Sequence, residues 1–141
     1  MLVRLMYASR AVATMDAEEL QAILRRSKTH NPQVGVTGLL CYCQASAIFI
    51  QALEGGRAAV SALYNRIAAD ARHSEVMLLS YDEIDERHFA GWSMGLVNMA
   101  RLNPALLLKY SASARLDPYS VSSRVSMAMF EELVATASVM S

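Results

Sequence analysis

The sequence predicts an α+β fold, a βαββαβ sheet with an extra fifth strand. Two helices lie on one face of that sheet, and a C-terminal helical segment covers the other. Three observations carry this. The runs "LVRLMYAS" (2–9) and "AIFIQALE" (47–54) are almost wholly apolar, as central strands covered on both faces must be. "LLCYC" (39–43) and 47–54 are separated by the short "QAS" (44–46), which makes a hairpin. Between strands 1 and 2, and again between 3 and 4, stand stretches long enough for a crossover helix. That order is ferredoxin-like, and 141 residues suit one such domain.

Each element has a local cause. "TMDAEELQAILRRSK" (14–28) reads as a helix, with Asp16 as its cap and Glu19 three residues on. Met15 and Leu20 stand where a hydrophobic staple would, and Leu20, Ile23 and Leu24 form its apolar stripe. "HNPQVGVTG" (30–38) reads as a loop, because Pro32 and Gly35 break helices. Gly55-Gly56 leads into a second helix, "RAAVSALYNRIAADAR" (57–72), whose stripe includes Val60, Leu63, Tyr64 and Ile67. "EVMLLSYDEI" (75–84) is the fourth strand and "WSMGLV" (92–97) the fifth. "PALLLKYS" (104–111) and "DPYSVSSRVSMAMFEELVATA" (117–137) supply the cover, with Leu106, Leu107, Leu108, Val125, Met129, Leu133 and Ala137 as its apolar positions. The expected organisation is a core over 1–100 and a helical extension over 101–141, packed as one compact domain.

Composition excludes several classes. Thirteen basic residues balance thirteen acidic ones, which argues against a nucleic-acid surface or an anionic-membrane binder built on a basic field. No apolar run approaches the ~20 residues of a membrane-spanning helix. Cys41 and Cys43 point the same way from one strand, a poor geometry for a mutual disulfide. A C-x-C with no second pair is a weak metal signal. Free thiols without a secretion signal imply the cytoplasm. There is no Gly-rich phosphate loop and no nucleophile–base pair, so the small phosphatases that share this topology are a poor match and no enzyme activity is expected.

Several polar residues stand where the pattern expects apolar ones. Tyr7 follows Val3 and Leu5 on one face of strand 1, and Gln51 follows Phe49 on strand 3. A buried unpaired amide costs roughly 1–3 kcal/mol, so Gln51 needs a partner. If strands 1 and 3 are central neighbours, Tyr7 and Gln51 meet beneath the two helices. Asn31 precedes Pro32, and Arg66, Asp70, Arg72 and His73 gather near the end of helix 2. Together they can surround one flat, polar-edged ligand between Ile23 and Ile67. Taken singly, each has an ordinary reading: a half-buried strand tyrosine, a turn asparagine, a solvated helix end, core isoleucines.

The stretches "LMYAS" (5–9), "HNPQVGVTGLLCY" (30–42), "FIQALEG" (49–55), "YNRIAADARH" (64–73) and "WSMG" (92–95) occur together and in order. In them the chain resembles the BLUF family, blue-light sensors that use a flavin. One departure stands out: the family usually has two adjacent asparagines where this chain has His30-Asn31. The resemblance implies a non-covalently bound flavin, FAD or another flavin such as FMN. It implies that Tyr7 donates an electron and a proton, and that Gln51 bridges Tyr7 and the flavin and rearranges its hydrogen bonds in light. Trp92 and Met94 would share a face of strand 5 near Gln51 and complete the switch. Asn31 would hold the pyrimidine edge, Ile23 and Ile67 the ring faces, and Arg66, Asp70, Arg72 and His73 the ring edge and ribityl chain. A red-shifted signalling state would pass through strand 5 and the C-terminal segment to an unidentified effector protein or a second copy of the chain, as a short stand-alone member requires. The competing expectation is a light-independent regulatory module that binds a small ligand on the same fold.

Overall fold

The computed structural model describes residues 1–97, 99, 103–136 and 139–140. Its six-stranded sheet has the order β4-β1-β3-β2-β5-β6. The strands are β1 (Leu2–Ala11), β2 (Thr37–Cys43), β3 (Ile48–Gly56), β4 (His73–Ile84), β5 (Gly95–Val97) and β6 (Val139–Met140). The helices are α1 (Ala17–Val34), α2 (Arg57–Ala68), α3 (Pro104–Tyr110) and α4 (Ser123–Ala135). β3 runs antiparallel to both β1 and β2, β4 is antiparallel to β1, and β5 is parallel to β2. This is the expected ferredoxin-like arrangement with its extra strand. The short β6 beside β5 has no signal in the sequence pattern.

The central strands are buried on both faces, as their apolar runs require. Val3, Leu5, Leu40, Phe49 and Leu53 pack under α1 and α2 against Leu24 and Val60. Met6, Leu39, Cys41, Ile50 and Ala52 point the other way, onto Leu107, Met129, Phe130 and Leu133 of α3 and α4. Alternation along each strand does the sorting: Met6 and Tyr7, or Ile50 and Gln51, serve opposite cores.

Four elements differ from expectation. α1 continues to Val34 and does not stop at 28, with Pro32 inside its last turn. The proline forfeits one helical hydrogen bond, but the helix closes immediately afterwards. Gly35 takes a left-handed φ of 70°, a conformation that favours glycine, and the Val36 N–H returns to the Asn31 carbonyl at 3.0 Å. α2 stops at Ala68, so Asp70, Arg72 and His73 lie beyond it and His73 opens β4. Gly55 and Gly56 belong to β3, which passes directly into α2 at Arg57.

β5 is only three residues long, and Trp92 and Met94 precede it. The Trp92 carbonyl accepts from Gly38 N–H at 3.1 Å, but the Ser93 carbonyl is taken by a side chain and not by β2. In the cover, α3 buries Leu107 and half-buries Leu106, while Leu108 is 56 % exposed. Three consecutive helical residues cannot share one face, because each turns by about 100°. Val125 is half-buried and stands outside the second core, Phe130 fills its place, and Ala137 lies outside the described residues.

Phe130 is fully buried, so Phe130→Ala should lower stability by about 3–5 kcal/mol. Leu108→Ala should stay within about 0.5 kcal/mol of wild type. Denaturant midpoints of the two variants check both. Equal midpoints would mean that α4 is not packed on the sheet.

Candidate functional site

Tyr7 and Gln51 are direct partners in the β1–β3 register. Side chains so paired stand on one face within reach of each other. The Tyr7 hydroxyl donates to Gln51 Oε1, and Gln51 Nε2 donates to Met94 Sδ at 3.3 Å. Both residues are buried. Burial, with a smaller contribution from Tyr64, whose ring centroid is 5.6 Å away, drives the Tyr7 pKa far above that of an ordinary phenol.

Above this pair lies a cavity of about 340 Å³ between α1 and α2. Ile23 of α1 and Ile67 of α2 line it, and Tyr7, Leu40, Phe49 and Gln51 of the sheet also contribute. Asn31 enters from the last turn of α1. Its Nδ2 donates to the Ser93 carbonyl at 2.8 Å, and its Oδ1 has no partner among the described residues. The unexpected length of α1 therefore places this side chain: a helix, not a loop, carries it.

The polar end of the cavity is built where α2 gives way to β4. Arg72 forks onto Asp70, with Nη2 to Oδ2 at 2.6 Å and Nε to both oxygens at 3.1 Å. The Arg72 backbone N–H also donates to Asp70 Oδ1. Hydrogen bonds from Arg72 hold the Asp70 carboxyl down to about 2. Arg66 Nη2 lies 2.7 Å from His30 Nε2, so the residue that departs from the family pattern braces an arginine at the cavity mouth. His73 Nδ1 sits 2.9 Å from the Ser9 hydroxyl, and its ring meets Phe49 edge-on at 5.2 Å.

All eight residues expected to hold a ligand, Ile23, Asn31, Gln51, Arg66, Ile67, Asp70, Arg72 and His73, line this one cavity. Of the four expected switch residues, Tyr7, Gln51 and Met94 meet. Trp92 does not: its half-buried side chain packs against the opposite core. Trp92 and Met94 would share a face only if 92–94 were extended, and the chain bends at Ser93–Met94. Arg26, Ser27, His30, Leu40, Phe49 and Leu63 also line the cavity but were not singled out as ligand-holding residues. Leu63 lies four residues before Ile67, a helical spacing that could have marked it.

This fold and cavity define a small α+β domain with a ligand-sized cavity between its two helices and its sheet. The chain belongs to the BLUF family: the family model described as sensors of blue-light using FAD matches residues 2–95. The chain is similar to the photoactivated adenylate cyclase subunit beta of Euglena longa, 36 % identical over 94 residues. That match covers 66 % of this chain and 11 % of the relative, so the chain spans about a tenth of the cyclase subunit. Among solved structures, the photo-activated state of BlsA matches with a TM-score of 0.83 and 29 % identity, covering 95 % of both chains. The dark-state structure of BlrB, a BLUF protein, matches at 0.80 and 32 %, covering 96 % of each. No helix among the described residues is long and apolar enough to cross a membrane.

Burial holds the His73 pKa below its ordinary value of about 6.5, although Asp70 pulls the other way. The folded chain therefore resists protonating His73 while the unfolded chain does not. This contribution to stability is complete above about pH 6.5 and is lost as pH falls through the lower, folded-state pKa. Between about pH 7.5 and 5.5 the wild type should lose more stability than His73→Gln. Denaturant midpoints at the two pH values give the comparison, and identical losses would place the sensitivity elsewhere.

Proposed function

We propose that this chain is a blue-light sensor whose switch is the Tyr7–Gln51 hydrogen bond at the floor of the cavity. That single bond carries the reading, because a phenol and an amide satisfy each other directly beneath the ligand slot. The residues present fit a flavin, FAD by the family's description. The slot has the size of a small-molecule site, apolar walls at Ile23 and Ile67, an unpartnered Asn31 Oδ1 and a polar mouth. When bound, the flavin supplies blue-light absorption and an electron-accepting ring.

The protein's part follows from its own groups. Ile23 and Ile67 pack the faces of the ring and exclude water. Asn31 offers an acceptor to an N–H edge, and Arg66, Asp70, Arg72 and His73 contact the outer edge and tail. Tyr7 is the electron donor. Its raised pKa means that the proton does not leave alone; it departs along the bond to Gln51 Oε1, coupled to loss of the electron.

Gln51 is suited to record the event. Turning its amide by 180° exchanges donor and acceptor ends. The partner of Nε2 is a thioether, a weak acceptor, so that end of the amide is lightly held and the Tyr7 O–H chiefly fixes its orientation. Residues 1–100 form the sensing unit in this reading, and 101–141 form an extension packed with it as one domain. The signal leaves through Met94, β5 and the C-terminal segment to a partner protein or a second copy of the chain. The chain itself is a cytoplasmic sensor and not an enzyme.

The absorption spectrum of the purified protein is the first test: a flavin band that moves to the red under blue light. A colourless protein, or a yellow one without the shift, would favour a light-independent ligand-binding module. Tyr7→Phe and Gln51→Leu should both retain flavin and both lose the shift. A wild-type-like shift in either removes that residue from the switch.

Binding is separable from switching. Asn31→Ala combined with Arg72→Ala should weaken flavin retention more than either switch variant does. Each lost anchor is worth on the order of 1–3 kcal/mol if its partner is left unpaired. Flavin content after gel filtration measures it, and full occupancy would place the anchors elsewhere.

A further inference from the structure

Glu54 lies three residues beyond Gln51 on β3, on the opposite face of the sheet, and does not line the cavity. It is fully buried. Its Oε2 accepts from Arg4 Nε at 2.8 Å and from the His88 backbone N–H at 3.0 Å. Its Oε1 accepts from the Phe89 backbone N–H at 2.7 Å. Arg4 Nη2 is buried without a hydrogen-bond partner. A buried ion pair with one donor unsatisfied is a poor source of stability, and an apolar pair of similar size would serve as well or better. The carboxylate does something an apolar side chain cannot: it grips two successive backbone N–H groups of the connection between β4 and β5.

That connection leads to the switch. Arg87 ties it from the outside, donating to the Gly35 carbonyl at 2.8 Å and to Thr37 Oγ1 at 3.0 Å. A turn follows, closed by Trp92 N–H to the Phe89 carbonyl at 3.2 Å. Ser93 then receives Asn31, and Met94 receives Gln51. A methionine has three flexible torsions, and its sulfur is a weak acceptor. The contact of Sδ with Gln51 therefore depends on how firmly the backbone of 94 is held.

We propose that Glu54 is a positioning residue for the light switch, acting through segment 85–94 to hold Met94 against the Gln51 amide. This rests on the sensor reading above. Glu54→Gln preserves size but has a single oxygen, so its NH₂ must face at least one N–H that the carboxylate accepted. The segment loosens, water reaches Gln51, and the amide turns more freely.

The test uses the full chain. Glu54→Gln should bind flavin and show the red shift, and return to the dark spectrum about tenfold faster, a barrier lower by about 1.4 kcal/mol. Arg87→Ala, at a half-exposed position, should shift recovery the same way and decides the matter if Glu54→Gln folds poorly. Amide exchange of flavin-free protein should rise across 85–94 in both variants and stay unchanged in α2. In a Met94→Leu background, Glu54→Gln should add nothing further. Unchanged recovery and exchange in the variants, or a full additional effect in the Met94→Leu background, overturns the proposal while the sensor reading stands. A wild-type protein without any red shift overturns the sensor reading itself and takes this one with it.

Discussion

The architecture turns on one hydrogen bond, from the Tyr7 hydroxyl to Gln51 Oε1, at the centre of a largely apolar sheet face. Two polar side chains there would each be expensive to bury alone. They are tolerable because the β1–β3 register sets them opposite each other. A slip of one residue would send one of them to the other core. The antiparallel pairing of β1 with β3 is thus what makes a switch possible at this position. That pairing is a property of the βαββαβ order and not of either strand.

The second constraint is closure of the slot above that bond. α1 and α2 supply apolar walls, and a polar mouth forms where α2 hands over to β4. Asn31 links three parts of the chain: it belongs to the last turn of α1, lines the cavity, and holds the Ser93 carbonyl. β5 begins only at Gly95, just after that contact. A methyl on Gly38 would collide with the Ala52 carbonyl and stand 3.1 Å from the Met94 methyl, so glycine there permits the close approach of β2, β3 and Met94.

The two cores share strands but not side chains. Met94 belongs to the core under α1 and α2, and Trp92 to the core under α3 and α4. They stand two positions apart, in a segment anchored by single backbone and side-chain hydrogen bonds and not by a strand ladder. Segments held in this way open more easily than ladder interiors. A shift at Met94 therefore has a short physical connection to the opposite face, with no deformation of the sheet required. On that face, His88 also pairs with Glu131 of α4 at 3.0 Å, which ties the same segment to the C-terminal cover.

Local pattern in the sequence determined strands β1 to β4, the two crossover helices, the Asp16 cap and the face shared by Val3, Leu5 and Tyr7, because each follows from side-chain period or capping chemistry within a few residues. Composition argued against a basic nucleic-acid surface. The family motifs in the sequence also named eight of the residues that line the cavity. Tertiary structure decided the rest. Pro32 is a helix breaker by local rule, but closure by Gly35 and the Asn31–Ser93 contact carry α1 past it. Trp92 and Met94 would share a face in an extended chain, but bonds from Gly38 and Asn31 turn 92–94 and divide the pair between two cores. His30 finds Arg66 only because α1 and α2 lie side by side, and Glu54 finds His88 and Phe89 only across the sheet. Apart from the local Gly35 closure, each of these contacts joins residues more than thirty positions apart, a separation that no local period can encode.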